Sequence, residues 1–410
     1  MQANKFSKRR KAGTIPNFSP IFGPEYRSHI RMYRALIFIF SCFISAQTYA
    51  QNNPGLIAKI KQKYLSSQSD SSRSGSLMIL PAFAYAQETG AEFGIASTYN
   101  FYMDKKDMQS RTSNVTFMAT LTSNKQKNIK LNTDIWTHHN MYHILSELRY
   151  RDWPFNFYGL GNSTLQADED YLGQKLSRIK LDVERKISHK TYAGLNILYE
   201  HFKISDIEAG GILETDDIRG KTGGQYLAFG GSFLIDGRDF TTYSTKGFFL
   251  RAKYAYAPPF WKGDHFSGSL AELDSRFFYS PLSNLTIATQ ALYRGTLGKQ
   301  APFYVYRDLG GDSSMRGYYL GRYKDKNYTT AQAELRYRII PRFGIVAFGG
   351  LGSTFSEQYS FRTVPTYGGG LRYFFSLEHL STVRLDYAVG EKRPGEKQQS
   401  GFYLSLSEAF

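Results

Sequence analysis

The stretch NYTTAQAELRYRII, residues 327–340, alternates between two kinds of side chain. Apolar residues occupy the odd positions from 331 to 339, and polar or charged residues occupy the even positions from 332 to 338. A period of two indicates a β-strand with two different faces. Charges of both signs lie on one face, and apolar side chains including an aromatic lie on the other. This pattern favours a strand between lipid and a hydrated lumen, as in a transmembrane β-barrel.

The same alternation recurs from about residue 76 to the C-terminus, for example in residues 178–187 and 400–410. Closing such strands into a barrel pairs their backbone groups, as a bilayer requires. The sequence therefore predicts one all-β domain over 76–410, a transmembrane antiparallel β-barrel of about 16 strands. The predicted strands are 76–86, 91–103, 110–121, 128–138, 141–151, 171–187, 190–204, 223–236, 246–257, 264–279, 284–295, 327–340, 343–352, 365–376, 381–390 and 400–410.

The predicted connections alternate in length when both ends of the barrel are placed in the periplasm. The inner links are mostly short and the outer links hold most of the long ones, of which 296–326 is the longest. Short periplasmic turns and long external loops are typical of outer-membrane barrels.

Composition excludes several other classes of protein. The 410 residues include 31 Tyr, 31 Phe and a single Cys, which excludes a disulfide scaffold and a Cys-based metal cluster. A hydrophobic content of 41% is too low for a helical membrane protein. The net charge is +16, of which +7 falls in the first 50 residues (8 Lys or Arg against 1 Glu). The remaining surplus is modest, and we expect no nucleic-acid partner.

The N-terminal residues 1–50 resemble an export signal. Basic residues up to Arg34 precede the apolar run Ala35–Ile44, and small residues follow up to Ala50. That run is shorter than the roughly twenty residues of a membrane-spanning helix. We therefore expect a leader and signal peptide with its start at Met32, a polar periplasmic linker over 51–75, and export to the outer membrane.

Six short motifs occur along the chain in the order of one family's signatures. They are Leu80-Pro81 with Glu88-Thr89-Gly90 and Phe93-Gly94; Asp236-Gly237-Arg238-Asp239; Met315-Arg316-Gly317-Tyr318; Ala333-Glu334-Leu335-Arg336-Tyr337; Phe348-Gly349-Gly350-Leu351-Gly352; and Tyr367-Gly368-Gly369-Gly370-Leu371-Arg372-Tyr373 with Val383-Arg384-Leu385-Asp386-Tyr387. Together they resemble the BamA/TamA-like bacterial surface antigen superfamily of outer-membrane assembly and secretion barrels. The resemblance covers about 76–410.

The resemblance implies that the loop carrying Met315, Arg316, Gly317 and Tyr318 folds back into the barrel lumen. In the family, this arginine meets carboxylates on the inner wall. Considered by itself, the segment is more typical of a solvated turn, whose arginine would pair only with water.

The carboxylate partner of Arg316 is open at this point. Glu334 matches one carboxylate position of the family, whereas Gly350 replaces the acid of the other. Three further acids are inward-facing candidates: Asp386, Glu272 and Asp274.

Two features concern the ends of the barrel. Pro81 in the first strand cannot donate a backbone hydrogen bond, which indicates a weak lateral seam with the last strand, or else a harmless position at a strand end. The terminal Phe410 resembles the signal by which assembly machinery recognises barrels, and an interfacial aromatic anchor is the simpler alternative.

The resemblance implies a barrel that assists insertion or translocation of protein or lipid at the outer membrane. A passive porin-like channel, or a barrel without assembly activity, is the alternative. The periplasmic POTRA domains of the family do not fit into 51–75, so a separate periplasmic docking protein is an expected partner besides membrane lipid and an unidentified client. No nucleophile–base motif occurs, and we expect no enzymatic activity, cofactor or metal.

Overall fold

The computed structural model describes residues 64–66, 72–86, 90–263, 265–298 and 300–410. The predicted leader and most of the predicted linker lie outside these residues. No helix within the described ranges has the length and apolar character needed to cross a membrane. The chain from Ser67 to Phe410 forms one compact unit, which contains the barrel.

Sixteen long antiparallel strands follow one another around a nearly closed barrel, and three short strands lie in the connections. The strands are β1 (Ser76–Ala86), β2 (Gly90–Phe101), β3 (Ser113–Thr122), β4 (Lys127–Trp136), β5 (Tyr142–Asp152), β6 (Phe155–Phe157), β7 (Asp170–Ser188), β8 (Thr191–Ser205), β9 (Gly223–Asp236), β10 (Gly247–Ala257), β11 (Gly268–Leu282), β12 (Leu285–Leu297), β13 (Arg307–Leu309), β14 (Tyr323–Asp325), β15 (Asn327–Ile340), β16 (Phe343–Phe355), β17 (Val364–Ser376), β18 (Ser381–Val389) and β19 (Ser400–Ser405). The helical turns in the described connections between strands are α1 (Ile212–Thr215) and the 3-10 turns His138–Asn140, Gln166–Asp168 and Phe303–Val305. The predicted all-β barrel of about 16 strands is confirmed.

The alternation that predicted β15 separates its two faces in the structure. Leu335 and Ile339 are 52% and 55% exposed on the outer surface. Glu334 and Arg336 are 1% and 0% exposed on the inner surface. The barrel wall therefore presents apolar side chains outward and charged side chains to the lumen, as a bilayer-spanning barrel requires.

The two ends of the barrel differ in the length of their connections. We call the end that carries Ser76 and the C-terminus the terminal end, and the opposite end the loop end. At the terminal end, five of the seven links have five residues or fewer. The longer loop-end links are 153–169, 206–222, 258–267, 298–326, 356–363 and 390–399. This asymmetry matches the predicted pattern of short and long links.

The closure between the first and last strands is the weakest junction of the barrel. β1 and β19 share one register pair, Tyr85 with Phe402, whereas β1 and β2 share eleven. Pro81 lies in the middle of β1 opposite Ile95, so its alternative placement at a strand end is wrong. Because proline lacks an N–H, it cannot donate a ladder hydrogen bond, which leaves β1 with one donor fewer for its neighbours.

The predicted last strand over 400–410 is too long, because β19 ends at Ser405. The following residues turn into the lumen, where Phe410 is buried against Phe278. The Arg336 guanidinium donates to the carbonyl oxygen of Phe410 at 3.1 Å. Phe410 therefore faces the interior of the barrel, and its role as an assembly signal stays a prediction.

Glu408 shows why the chain leaves the sheet. Its carboxylate accepts hydrogen bonds from Arg372 Nε at 2.7 Å and from Thr382 Oγ1 at 2.6 Å. A charge-assisted bond to a buried guanidinium is stronger than a neutral backbone bond. The bonds of Glu408 to Arg372 and Thr382 therefore favour turning residues 406–410 into the lumen over continuing β19 along β1.

Candidate functional site: an arginine loop on the inner wall

The candidate site is the tip of the long link between β12 and β15. β13 and β14 pair to close the base of this tip, which comprises residues 310–322. Met315, Arg316 and Tyr318 are almost completely buried within it. Their contacts lie on the inner faces of β15–β19, so the tip occupies the lumen, as the resemblance implies.

Arg316 binds two carboxylates from different strands. Its Nη2 lies 2.5 Å from Glu334 Oε1 on β15, and its Nη1 lies 2.6 Å from Asp386 Oδ2 on β18. Its guanidinium carbon also lies 3.5 Å from the ring centroid of Phe348. Charge-assisted bonds of this kind are short and directional. The partner that the sequence left open is therefore Asp386, in addition to Glu334.

Gly350 lies on the inner face of β16, where the family pattern calls for an acid. Its register partner is Gln332, and an added Cβ would lie 2.9 Å from the Gln332 Cβ. The Gln332 amide oxygen accepts a bond from Arg316 Nη2 at 3.4 Å. In this chain, the second negative charge comes from Asp386 on β18.

The other two candidate acids are not partners of Arg316. Glu272 and Asp274 face inward from β11, as predicted, but they bind neighbouring arginines. Glu272 lies 2.8 Å from Arg294, and Asp274 lies 2.6 Å from Arg276. Within the described ranges, no group of three or more His, Cys, Asp or Glu side chains is arranged to hold a metal ion.

Three further arginines complete the site. Asp386 also accepts from Arg372 at 2.6 Å and from Arg384 at 3.1 Å, and Glu334 accepts from Arg336 at 2.7 Å. Sequence reasoning did not single out these three as site residues. The alternation pointed to two of them, because Arg336 and Arg384 each lie two positions from a candidate acid and so share its face. Arg372 is the register partner of Arg384.

Gly317 allows the tip to approach the wall closely. Its φ is +94°, and an added Cβ would lie 2.8 Å from the carbonyl carbon of Val389 on β18. Its backbone N–H donates to Tyr403 Oη on β19 at 2.9 Å. Glycine is therefore required here both for backbone conformation and for space.

Met315 and Tyr318 anchor the two sides of the arginine. Met315 packs over Gly352, where an added Cβ would lie 2.9 Å from its sulfur. Tyr318 Oη donates to the Pro365 carbonyl oxygen at 2.6 Å and accepts from the Glu391 N–H at 2.8 Å. Burial raises the pKa of Tyr318 well above its ordinary value, which keeps the hydroxyl neutral.

Asp312 gives the tip a second contact with β19. Its carboxylate accepts from Ser405 Oγ at 3.0 Å and lies 3.3 Å from Arg384 Nη2. Desolvation acts to raise the pKa of Asp312, but Arg384 and the Ser405 hydroxyl outweigh it and lower that pKa below its ordinary value. The tip thus touches β19 at both Tyr403 and Ser405.

Comparison with solved structures shows the same fold. The chain is similar to "BamA from Haemophilus ducreyi lacking POTRA domains 1-3", with a TM-score of 0.50 and 14% identity over 80% of this chain and 69% of that one. It is similar to CdiB from Acinetobacter baumannii (TM-score 0.50, 13% identity, 82% and 66% covered). It is also similar to CdiB from Escherichia coli (TM-score 0.52, 11% identity, 81% and 62% covered). The chain thus spans less than two thirds of either CdiB chain.

Comparison by sequence gives the family. No curated protein matches the sequence. The family model of the Omp85 superfamily domain matches residues 89–410, more than three quarters of the chain. Together with the BamA and CdiB barrels, this match confirms the predicted family resemblance. The chain therefore belongs to the Omp85 superfamily and is an outer-membrane β-barrel.

Proposed function

We propose that this barrel assists the insertion or translocation of protein or lipid at the outer membrane. The observation that carries the proposal is the bound arginine tip, which fills part of the lumen and touches β19 beside the weakest junction. In an assembly barrel, such a loop would couple the binding of a client in the lumen to the opening of the seam between β1 and β19.

The seam between β1 and β19 supports this coupling. Opening it breaks one register pair, whereas parting β18 from β19 breaks six. The backbone N–H of Gly317 and the carboxylate of Asp312 both bind β19. A movement of the tip would therefore displace β19, which has only one register pair with β1.

Locking the seam is expected to abolish function in the host. Paired cysteines at Tyr85 and Phe402 would join the opposed residues of β1 and β19, and the native Cys42 would leave with the proposed signal peptide. Depleting the protein should change the content of outer-membrane proteins or lipids. The reduced cysteine variant should restore that content, and the oxidised variant should not.

The matched control places cysteines at Ala291 and Ala331, which are opposed on β12 and β15 away from the seam. Its oxidised form should restore function as fully as the wild type. An oxidised seam variant that also restores function would show that the seam need not open. A depletion that alters no outer-membrane protein or lipid would remove the whole proposal.

A passive channel is the second candidate function. It is favoured by a luminal cavity of about 520 Å³ along β1–β5, beside the bound tip. Planar-bilayer conductance distinguishes the two functions. We expect small or flickering currents, because the tip obstructs the lumen, and a large steady current would instead indicate a porin.

Export and partners form a separate part of the proposal. We propose that a signal peptide ending near Ala50 directs the chain to the periplasm and that Phe410 contributes to its recognition by the assembly machinery. A separate periplasmic protein would supply the docking function of POTRA domains. N-terminal sequencing of the protein from outer membranes would test the cleavage.

A further inference from the structure

We propose that the lumen contains a binding site for a phosphate group on the inner wall of β4 and β5, formed by Lys130, Arg149 and Arg151. The phosphate could belong to a lipid headgroup or be free in solution. This site lies on other strands than those that bind Arg316, and it goes beyond the proposed assembly function. Its test does not require that function.

A row of like charges marks the site. Lys130 on β4 is the register partner of Arg149 on β5, which is the register partner of Arg178 on β7. Like charges directly opposite one another destabilise a sheet. Arg151 follows two positions after Arg149 on the same inner face. Three neighbouring strands therefore concentrate four cations.

The wall itself supplies too few acids to neutralise them. Arg178 binds Glu200 and lies 3.1 Å from Glu147. The same Glu147 carboxylate lies 3.8 Å from Arg149, so one acid serves two arginines. Two carboxylates thus face four cations.

Lys130 and Arg151 are the cations left without an acid. Within the described ranges, neither has a carboxylate at ion-pair distance. The Arg151 guanidinium donates to the Gln174 amide oxygen at 3.1 Å, and its Nε is buried without a hydrogen-bond partner. The wall therefore carries an excess of two positive charges, which matches the charge of about −2 on a phosphate monoester.

Acids of the luminal loop face this wall but are engaged elsewhere. Asp308 lies 2.7 Å from Lys324, and Asp312 lies 3.3 Å from Arg384. They approach the cations without forming an ion pair with them. An incoming phosphate would therefore not have to displace an ion pair of Lys130 or Arg151.

The structure also provides room for the ligand. A cavity of about 180 Å³ is lined by Arg149, Arg151 and Trp153, with Leu320 of the loop and Gly401 of β19. Lys130 lines the larger luminal cavity, and its register partner Arg149 lines the smaller one. Arginine forks bind phosphate oxygens in pairs, and a lysine adds a point charge.

The test uses the purified full-length chain, folded in detergent or in nanodiscs. Trp153 is an intrinsic reporter, since its ring lies 6.0 Å from the Arg151 guanidinium. Inorganic phosphate is titrated into the detergent sample, with sodium acetate at equal ionic strength as the control anion. In parallel, the protein is compared in nanodiscs of phosphatidylcholine with and without phosphatidic acid. Tryptophan fluorescence and calorimetry are recorded.

We expect saturable binding of at least one phosphate source, and the responding source identifies the ligand's origin. Lys130→Gln and Arg151→Gln should each weaken binding by about tenfold or more, because each removes a charge-assisted bond. The control Lys190→Gln, in the exposed β7–β8 turn, should bind like wild type. Trp153→Phe should lose the fluorescence change and keep the calorimetric signal.

The proposal is overturned if neither phosphate source binds, if acetate binds equally well, or if both glutamine variants bind like wild type. Heat-dependent mobility on gels verifies that each variant is folded. Two independent glutamine variants keep the test decisive if one of them fails to fold.

Discussion

Replacing Arg316 by alanine is expected to destabilise the folded barrel by about 3 kcal/mol or more, because a buried ion pair that loses one partner leaves uncompensated charge. Glu334 and Asp386 would still pair with the arginines of the strands, but they would lose the cation that joins β15 to β18. The free energy of unfolding can be measured by urea denaturation in lipid vesicles, followed by tryptophan fluorescence. Planar-bilayer currents should also increase as the tip leaves the wall.

Two variants serve as controls for Arg316→Ala. Lys326→Gln breaks an ion pair with Glu357, which is 84% exposed, and should cost at most about 1 kcal/mol. Arg316→Lys keeps the charge but cannot bridge two carboxylates with a planar fork, and should fall between the others. If Arg316→Ala were no less stable than Lys326→Gln, the buried bridge would not hold the tip.

Replacing Gly317 by alanine is expected to produce the second large effect. An alanine at φ +94° adopts a left-handed conformation at a cost of about 1–3 kcal/mol, and its Cβ also meets the Val389 backbone at 2.8 Å. Backbone atoms cannot move aside as a flexible side chain can. We therefore expect the tip to shift off β18, with a loss of unfolding free energy and a larger bilayer conductance.

Gly395→Ala separates the two causes. Gly395 has φ +78°, and an added Cβ there has nothing within 4 Å. This variant therefore carries the backbone strain without the close contact, and it should lose less stability and leave conductance unchanged. Equal losses in both alanine variants would contradict the close docking of Gly317 against β18.

The barrel was predictable from sequence because each strand separates lipid from lumen. That separation imposes a period of two on every strand, as in 327–340, whatever its neighbours are. The end of β19 was not predictable in this way. Residues 406–410 continue an apolar pattern, but the buried guanidinium groups of Arg336 and Arg372 bind this segment inside the lumen.

The partner of Arg316 was predictable only in part. Alternation shows which acids face inward, and by this criterion Asp386, Glu272 and Asp274 are equivalent. The register between strands decides which acid lies level with Arg316 along the barrel axis. The sequence does not give that register. Cross-strand pairing likewise creates the row of Lys130 and Arg149, which alternation alone does not reveal.

Two regions of the inner wall carry clustered cations but differ in their acidic partners. On β15–β18, arginines hold the luminal tip through Glu334 and Asp386. On β4 and β5, Lys130 and Arg151 have no acid within ion-pair distance among the described residues. The luminal loop lines the cavity of Arg149 and Arg151 and also binds β19. A phosphate bound on β4 and β5 would therefore contact the same loop that contacts β19.

Disulfide formation between the tip and the inner wall reports whether the tip occupies the lumen in the native membrane. An added Cβ at Gly352 would lie 3.1 Å from Met315 Cγ, the atom that a cysteine sulfur would replace. This separation suits a disulfide, in which the Cβ of one cysteine lies about 3 Å from the sulfur of the other, given an S–S bond of about 2.05 Å. Met315→Cys with Gly352→Cys should cross-link on mild oxidation in native outer membranes and change the gel mobility. Free thiols at both positions, with the thiol introduced in place of Met315 labelled by a membrane-impermeant maleimide, would show that the tip lies outside the lumen.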